Sequence, residues 1–253
     1  MTPVTRPSRG RQRLYADLAW TWPILSPPQD YDQEARQFCD FLRRAASLNV
    51  KEVLHLGCGG GHVDSHLKQY FRIVGVDLSP AMLRLARRLN PEVSYRRGDM
   101  RSVRLGRTFD GALISDAVAY MRTPRDLTRA FANAYRHLKP GGAFVTYAEH
   151  TPDRFEQNWT KPIQARRGRD EVVFVENRYD PDPRDTTFES TFVFIIRREG
   201  RLSVETDRHE LGLFPVATWR KAFRVAGFHI RHAGRDSSTP EDDVQWFAGW
   251  KPA

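Results

Sequence analysis

Cysteine is scarce. Cys39 and Cys58 are the only two in the chain, too few for a disulfide framework, which excludes the small disulfide-stapled secreted classes. Long apolar runs are missing too: no stretch reaches the roughly 18 apolar residues a membrane helix needs, so no membrane partner is expected. The opening MTPVTRPSRGRQRLY is basic but has no apolar segment behind it, so it does not read as a secretory signal, and the expected location is cytoplasmic. Lysine is rare as well. Only six of the 40 basic residues are lysine, so the net charge of +9 is carried by arginine. Those arginines (Arg84, Arg87, Arg88, Arg96, Arg97, Arg101, Arg104 and Arg107 among them) are scattered without a clean stripe. A nucleic acid is therefore not the expected partner, although an anionic small molecule would use the same charge. No zinc-like spacing joins the two cysteines and eight histidines, so no metal is expected. Internal repeats and low-complexity linkers are absent.

What is present suffices for one packed domain: 253 residues, 40% hydrophobic and 11% aromatic. Residues 1–30 read as a basic tail (1–12) followed by an aromatic, Pro-broken lid (14–31). A long aperiodic aromatic loop of this kind is a lid or is packed over something. Residues 32–47 place Ala35, Phe38, Phe41, Leu42 and Ala45 on one helical face. From 51 to about 150 the pattern alternates strand and helix, with strands at 53–56, 71–77, 93–97, 109–115 and 143–149. Ser79-Pro80 starts one helix well, and Lys139-Pro140-Gly141-Gly142 stops another. Such alternation predicts an α/β fold, a parallel sheet with helices on both faces. Within 155–213 the alternating runs EVVFVENRY, TFESTFVFIIRRE and RLSVETDRHELGLF predict three antiparallel strands inserted into the domain. Residues 214–253 return to a helix and two last strands, so the core spans 31–154.

The chemistry concentrates at strand ends. Gly57-Cys58-Gly59-Gly60-Gly61 follows the first strand and opens a helix, where glycine lets backbone approach a ligand and the helix N-terminus offers free N–H groups. The spacing is G-x-G-x-G, because the sixth position is His62, which departs from the dinucleotide fingerprint. Asp77 ends the second strand, 20 residues after Gly57. A carboxylate there can accept both ribose hydroxyls of an adenosine, or else cap the following helix. Gly98-Asp99-Met100 ends the third strand, as a turn or as an adenine contact. Ligands of parallel sheets bind at these strand ends.

Together VLHLGCGGGH, IVGVDLSPAML, YRRGDM, FDGALISDAVAYM and LKPGGAFV resemble the class I, Rossmann-like S-adenosylmethionine-dependent methyltransferases over about 100 residues. The resemblance implies a seven-stranded sheet whose last strand is antiparallel, and an enzyme with S-adenosylmethionine as cofactor. It assigns Gly57, Cys58, Gly59, Gly61 and Gly98 to the cofactor's surroundings and Asp77 to its ribose. Asp99 and the Met100 backbone go to adenine, Leu78 and Met82 to the flanks of that ring, and Ser115 to the methionine part. The family usually has Asp or Glu two residues before the first glycine, where this chain has His55, so the anchoring of the cofactor's amino group is open. The flanks, LYADLAW with its aromatic lid, Tyr31 and HELGLFPVATWRKAFRVAGF, look like the sugar N,N-dimethyltransferases of macrolide biosynthesis. That implies Tyr15 near the methionine end and Tyr31 on the substrate side, with a small-molecule acceptor, an amine such as an amino sugar. Methylation of oxygen or carbon, an RNA substrate, or transfer of another part of the cofactor are the alternatives. The quaternary state is expected to be a monomer or homodimer.

Methyl transfer onto an amine needs alignment, exclusion of water and a place for a proton. The catalytic candidates are Tyr120, Asp116 and His150. Tyr120 can orient a nucleophile but, with a phenol pKa of about 10, is a poor base. Asp116 can accept from an ammonium or cap the segment after it. His150, beside Glu149 at the end of the fifth strand, is the conventional base within topological reach. Trp22 and Trp20 can offer cation–π faces to a sulfonium or amine, or be buried. Trp22, Tyr31 and Glu149 are the expected substrate contacts.

Overall fold

The computed structural model describes residues 12–236 and 244–252. The tail expected at 1–12 lies outside the described residues, apart from Gln12. Strands are numbered along the chain: β1 Glu52–Leu56, β2 Arg72–Asp77, β3 Ser94–Arg97, β4 Phe109–Ile114, β5 Leu138–Ala148, β6 Trp159–Arg167, β7 Asp170–Tyr179, β8 Thr187–Arg198, β9 Arg201–Gly212, β10 His229–Asp236 and β11 Val244–Trp250. Seven of them form one sheet in the order β10-β11-β5-β4-β1-β2-β3. The pairs β1–β2, β1–β4, β2–β3 and β4–β5 are parallel, and β11 runs antiparallel to both β5 and β10. This is the α/β architecture expected, with the last strand reversed.

The strand sequences explain the layering. Every residue of β4 is buried, as a strand covered on both faces must be. One face is covered by α2 (Asp32–Ala45), which buries Ala35, Phe38, Phe41, Leu42 and Ala45, the stripe its periodicity predicts. Phe38 and Phe41 each meet Trp246 of β11 at 5.0 Å between ring centroids. The other face carries α5 (Pro124–Arg136) and α6 (Val216–Ala226), whose Phe131, Trp219 and Phe223 join Phe144 and Phe247 of the sheet. Each such side chain, fully buried, contributes roughly 1.5–3 kcal/mol.

The insertion holds four strands, not three, in the antiparallel order β6-β7-β8-β9. WTKPIQARR hid the first of them, because Pro162 and three cations read as loop. An edge strand tolerates proline, since one side of it makes no ladder bonds. Val172, Phe174, Phe192, Phe194 and Ile196 line the sheet's inner face and cluster with Leu14, Leu18, Ile24 and Leu25. The lid is accordingly no loop. It is a series of short turns at Arg13–Tyr15, Ala19–Thr21 and Pro28–Tyr31, with the single-turn α1 (Trp22–Leu25) between, two of them opened by prolines. Among the described residues, no helix is long and apolar enough to cross a membrane.

Candidate active site

The carboxyl ends of β1, β2, β3 and β4 face a cleft of about 1020 Å³, roofed by lid residues Tyr15, Trp22 and Tyr31 and walled by β8 and β9 through Glu189, Arg208 and Glu210. At the end of β1 the backbone turns at Gly57, Gly59 and Gly61, whose φ angles of 76°, 52° and 75° lie in the left-handed region. The three glycines are not equivalent. A Cβ on Gly57 would sit 2.4 Å from Ala117 Cβ, and one on Gly61 would sit 2.7 Å from Tyr95 Oη. Gly61 packs into protein as the N-cap of α3 (His62–Leu67) and is not part of the cleft wall. At Gly59 the nearest atom is the Met82 methyl, 3.7 Å away, so this is the backbone that stays open to a ligand.

Asp77 stands opposite. One of its oxygens accepts from Gly59 N–H at 2.9 Å and the other from Ser79 N–H at 2.7 Å. Burial pushes its carboxyl upward against those two bonds. Both functions weighed for Asp77 are thus compatible: it holds the start of α4 (Pro80–Leu89) while its remaining lone pairs face the cleft. The Ser79 hydroxyl caps α4 by accepting from Met82 N–H at 3.1 Å, and it also donates to the Tyr15 carbonyl. Leu78, 57% exposed, and Met82 line the same region. Gly98, Asp99 and Met100 continue the wall. Asp99 is engaged by Arg101, which reaches it at 2.6 Å, and this cation holds its carboxyl below the ordinary range. Arg101 is itself shared with Asp126.

The residues suit S-adenosylmethionine. An open glycine backbone at Gly59 is bonded directly to a two-oxygen acceptor, Asp77, a second carboxylate stands one strand further on, and Leu78 and Met82 offer apolar faces beside them. When bound, the cofactor supplies a methyl group already activated on a sulfonium. Cys58 also borders the cleft, its thiol pushed upward by burial. Beneath lie His55 and Ser115, joined by a 3.2 Å contact between His55 Nε2 and Ser115 Oγ.

The far end of the cleft is lined by hydroxyls and one carboxylate. Asp116 takes a hydrogen bond from the Tyr147 hydroxyl, and its carboxyl is pushed up to about 6 by burial and by the charge of Glu149. Tyr31 bonds Ser26 Oγ at 2.8 Å and meets His62 edge-on at 5.3 Å. Trp22 stacks on His62 at 6.3 Å between ring centroids. Tyr120 belongs to a chain that the sequence did not disclose. Its hydroxyl lies 2.9 Å from that of Tyr15 and 2.5 Å from His209 Nδ1, while His209 Nε2 lies 2.8 Å from Asp207. Asp207 also accepts the Leu14 N–H at 2.7 Å, tying the lid to β9. Asp207 and His209 are two apart on one strand and so share its inner face, the one signal by which alternation could have found them.

Two candidates stand elsewhere. Glu149 and His150 line a small neighbouring cavity with Phe188 and Trp219, which shares Asp116 with the main cleft, and neither lines the main cleft itself. β5 ends on the far side of the Asp116 segment, so topological reach did not become contact. His150 packs against Phe188 at 5.5 Å, and burial lowers its pKa to about 4. Trp20 also misses the cleft and lies under the Arg198 guanidinium, 4.8 Å from its ring centroid. Every arginine on the cleft wall is ion-paired, Arg122 with Glu210 and Arg208 with Glu189 at the exposed rim.

Comparison with known proteins agrees with this geometry. Residues 53–142 match the methyltransferase domain family. The dTDP-3-amino-3,4,6-trideoxy-alpha-D-glucopyranose N,N-dimethyltransferase of Streptomyces venezuelae is 30% identical over 82% of this chain and 87% of its own. The crystal structure of Streptomyces venezuelae DesVI superposes with a TM-score of 0.80 at 28% identity, covering 94% of this chain and 96% of that one. The sugar N-methyltransferase KedS8 from Streptoalloteichus shares the fold, with a TM-score of 0.84 at 22% identity over 100% of this chain and 98% of its own. With this identity spread over most of both chains, the chain belongs to the S-adenosylmethionine-dependent methyltransferases and is an enzyme.

Proposed function

We propose that the acceptor is the amino group of a nucleotide-linked sugar, methylated on nitrogen. The observation that carries this reading is the acceptor-rich end of the cleft: a part-buried carboxylate, Asp116, amid the hydroxyls of Tyr15, Tyr31 and Tyr120. An amine that arrives protonated must pass a proton to such an acceptor before its lone pair is free to attack. The rim arginines Arg122 and Arg208 can trade their carboxylate partners for a diphosphate, and the dTDP-linked substrates named for the relatives support that choice. The cleft volume lies at the top of the usual range of about 300–1,000 Å³, which suits two ligands side by side.

The roles follow from donor and acceptor count. Asp207 is acceptor-only, so His209 donates to it from Nε2, and its Nδ1 lies against the Tyr120 hydroxyl. The Tyr120 hydroxyl donates to that of Tyr15, which leaves the Tyr15 proton to donate into the cleft. The Asp116 carboxylate receives the amine's N–H groups, which turns the amine's own lone pair toward the methyl group. Asp116 takes up the proton that the amine sheds. The lid residues Trp22 and Tyr31 exclude water. Gly57, Cys58, Gly59, Asp77, Leu78, Met82, Gly98, Asp99, Met100 and Ser115 hold the cofactor, and a cytoplasmic setting fits the two free, buried cysteines. Incubation with S-adenosylmethionine and a dTDP-amino sugar, followed by mass spectrometry, should show one and then two methyl groups added to nitrogen. Methylation of the matching dTDP-hydroxy sugar in preference to the amine would overturn this reading.

A further inference from the structure

His55 stands two residues before Gly57, at the floor of the cleft, and is 1% exposed. Its Nδ1 lies 2.7 Å from an oxygen of Asp64, a residue of α3 with no exposure at all. The second Asp64 oxygen accepts the Tyr95 hydroxyl at 3.0 Å, and Asn90 holds that hydroxyl and the Gly61 carbonyl. Asp64 is therefore fixed behind the glycine turn and does not border the cleft. A buried carboxylate is costly to leave unsatisfied, so its bond to the imidazole ring needs an account.

Hydrogen-bond bookkeeping supplies one. A carboxylate only accepts, so Nδ1 of the neutral ring carries the proton and Nε2 is left with a lone pair. That lone pair points to Ser115 Oγ at the cleft floor. The cofactor's amino-acid end carries an ammonium group, which needs an acceptor at the end of the cleft away from Asp77 and Asp99.

We propose that His55 Nε2, held in this tautomer and polarised by Asp64, accepts an N–H of the cofactor's ammonium group, in place of the Ser115 hydroxyl proton. His55 is then a cofactor-binding residue and Asp64 a positioning residue acting through it. The negative charge that the family usually presents directly at this point has moved one shell inward. The inference concerns the cofactor alone and stands apart from the choice of acceptor.

The test uses two ligands, S-adenosylhomocysteine and its deaminated analogue, in which hydrogen replaces the α-amino group, each titrated calorimetrically into the whole protein. The native enzyme should prefer S-adenosylhomocysteine by about 10-fold or more, the worth of one charged hydrogen bond. Asp64→Asn keeps the size and the Tyr95 contact, but its amide donates to Nδ1 and flips the tautomer, turning Nε2 into a donor aimed at the ammonium. That variant should lose the preference while binding the analogue as the native protein does. His55→Asp combined with Asp64→Asn should restore the preference by putting the carboxylate at the floor. His55→Phe, checked for a native melting transition, should behave as Asp64→Asn does. Equal weakening of both ligands in Asp64→Asn would mean a structural role only and would overturn the proposal. A native protein that binds the two ligands equally would overturn it as well.

Discussion

Asp77→Ala separates cofactor recognition from folding more sharply than any other change in the cleft. The side chain now accepts two backbone N–H groups, from Gly59 and Ser79, and faces the open part of the cleft. In the proposed complex it adds two hydrogen bonds from the ribose hydroxyls. Bonds to a charged acceptor are worth about 1.5–3 kcal/mol each, and water entering the vacated space returns part of that. A net loss of about 3 kcal/mol corresponds to roughly 150-fold weaker binding. Stability should change little, because burial already works against the ionised carboxylate, and its removal offsets the two orphaned N–H groups. Calorimetric titration with S-adenosylhomocysteine reads the affinity, and thermal denaturation reads the fold. An affinity within about threefold of the native value, in a variant that melts normally, would refute the ribose assignment and with it the placement of the adenosine.

Other consequences can be checked alongside. Asp116→Asn should lower kcat at least tenfold while sparing S-adenosylhomocysteine affinity, read by steady-state kinetics and titration. The native pH profile should fall on the acid side through about 6, because Asp116 must be ionised to accept a proton and its raised pKa sets where that form is lost. Gly57→Ala, which forces a Cβ to within 2.4 Å of Ala117 at a left-handed backbone position, should cost about 1–3 kcal/mol in chemical denaturation. Tyr120→Phe and His209→Gln should each reduce kcat several-fold with cofactor affinity retained; a full native kcat in both would remove the hydrogen-bonded chain from the mechanism. His150→Ala should leave kcat/KM within about twofold, since the ring lies outside the cleft.

The half of the site built by the parallel sheet was legible because there the chemistry follows the chain. A strand end, a turn and a helix start within a few residues of one another, so Gly59, Asp77 and Ser79 announce their places by local spacing. Even so, spacing alone could not distinguish Gly59, which faces the cleft, from Gly61, which faces Tyr95. The acceptor half was hidden because it is assembled across long separations: Tyr120 meets His209 from 89 residues away and Tyr15 from 105. Strand alternation marks Asp207 and His209 as sharing a face without saying what that face covers. His150 misled for the complementary reason, since the end of β5 is near the cleft in topology but turned into a different cavity. The strand β6 escaped because Pro162 and its cations break the alternation that an edge strand can do without.

The short turn carrying Leu14 and Tyr15 is fastened at both ends of the cleft, by Ser79 at the head of a core helix and by Asp207 on the inserted sheet. One piece of chain thus bridges the two halves of the molecule like a clasp. Any movement of this turn away from the cleft requires both fastenings to open together. Where turnover is governed by that opening and not by the transfer itself, weakening the clasp would quicken the cycle while loosening its hold on every ligand.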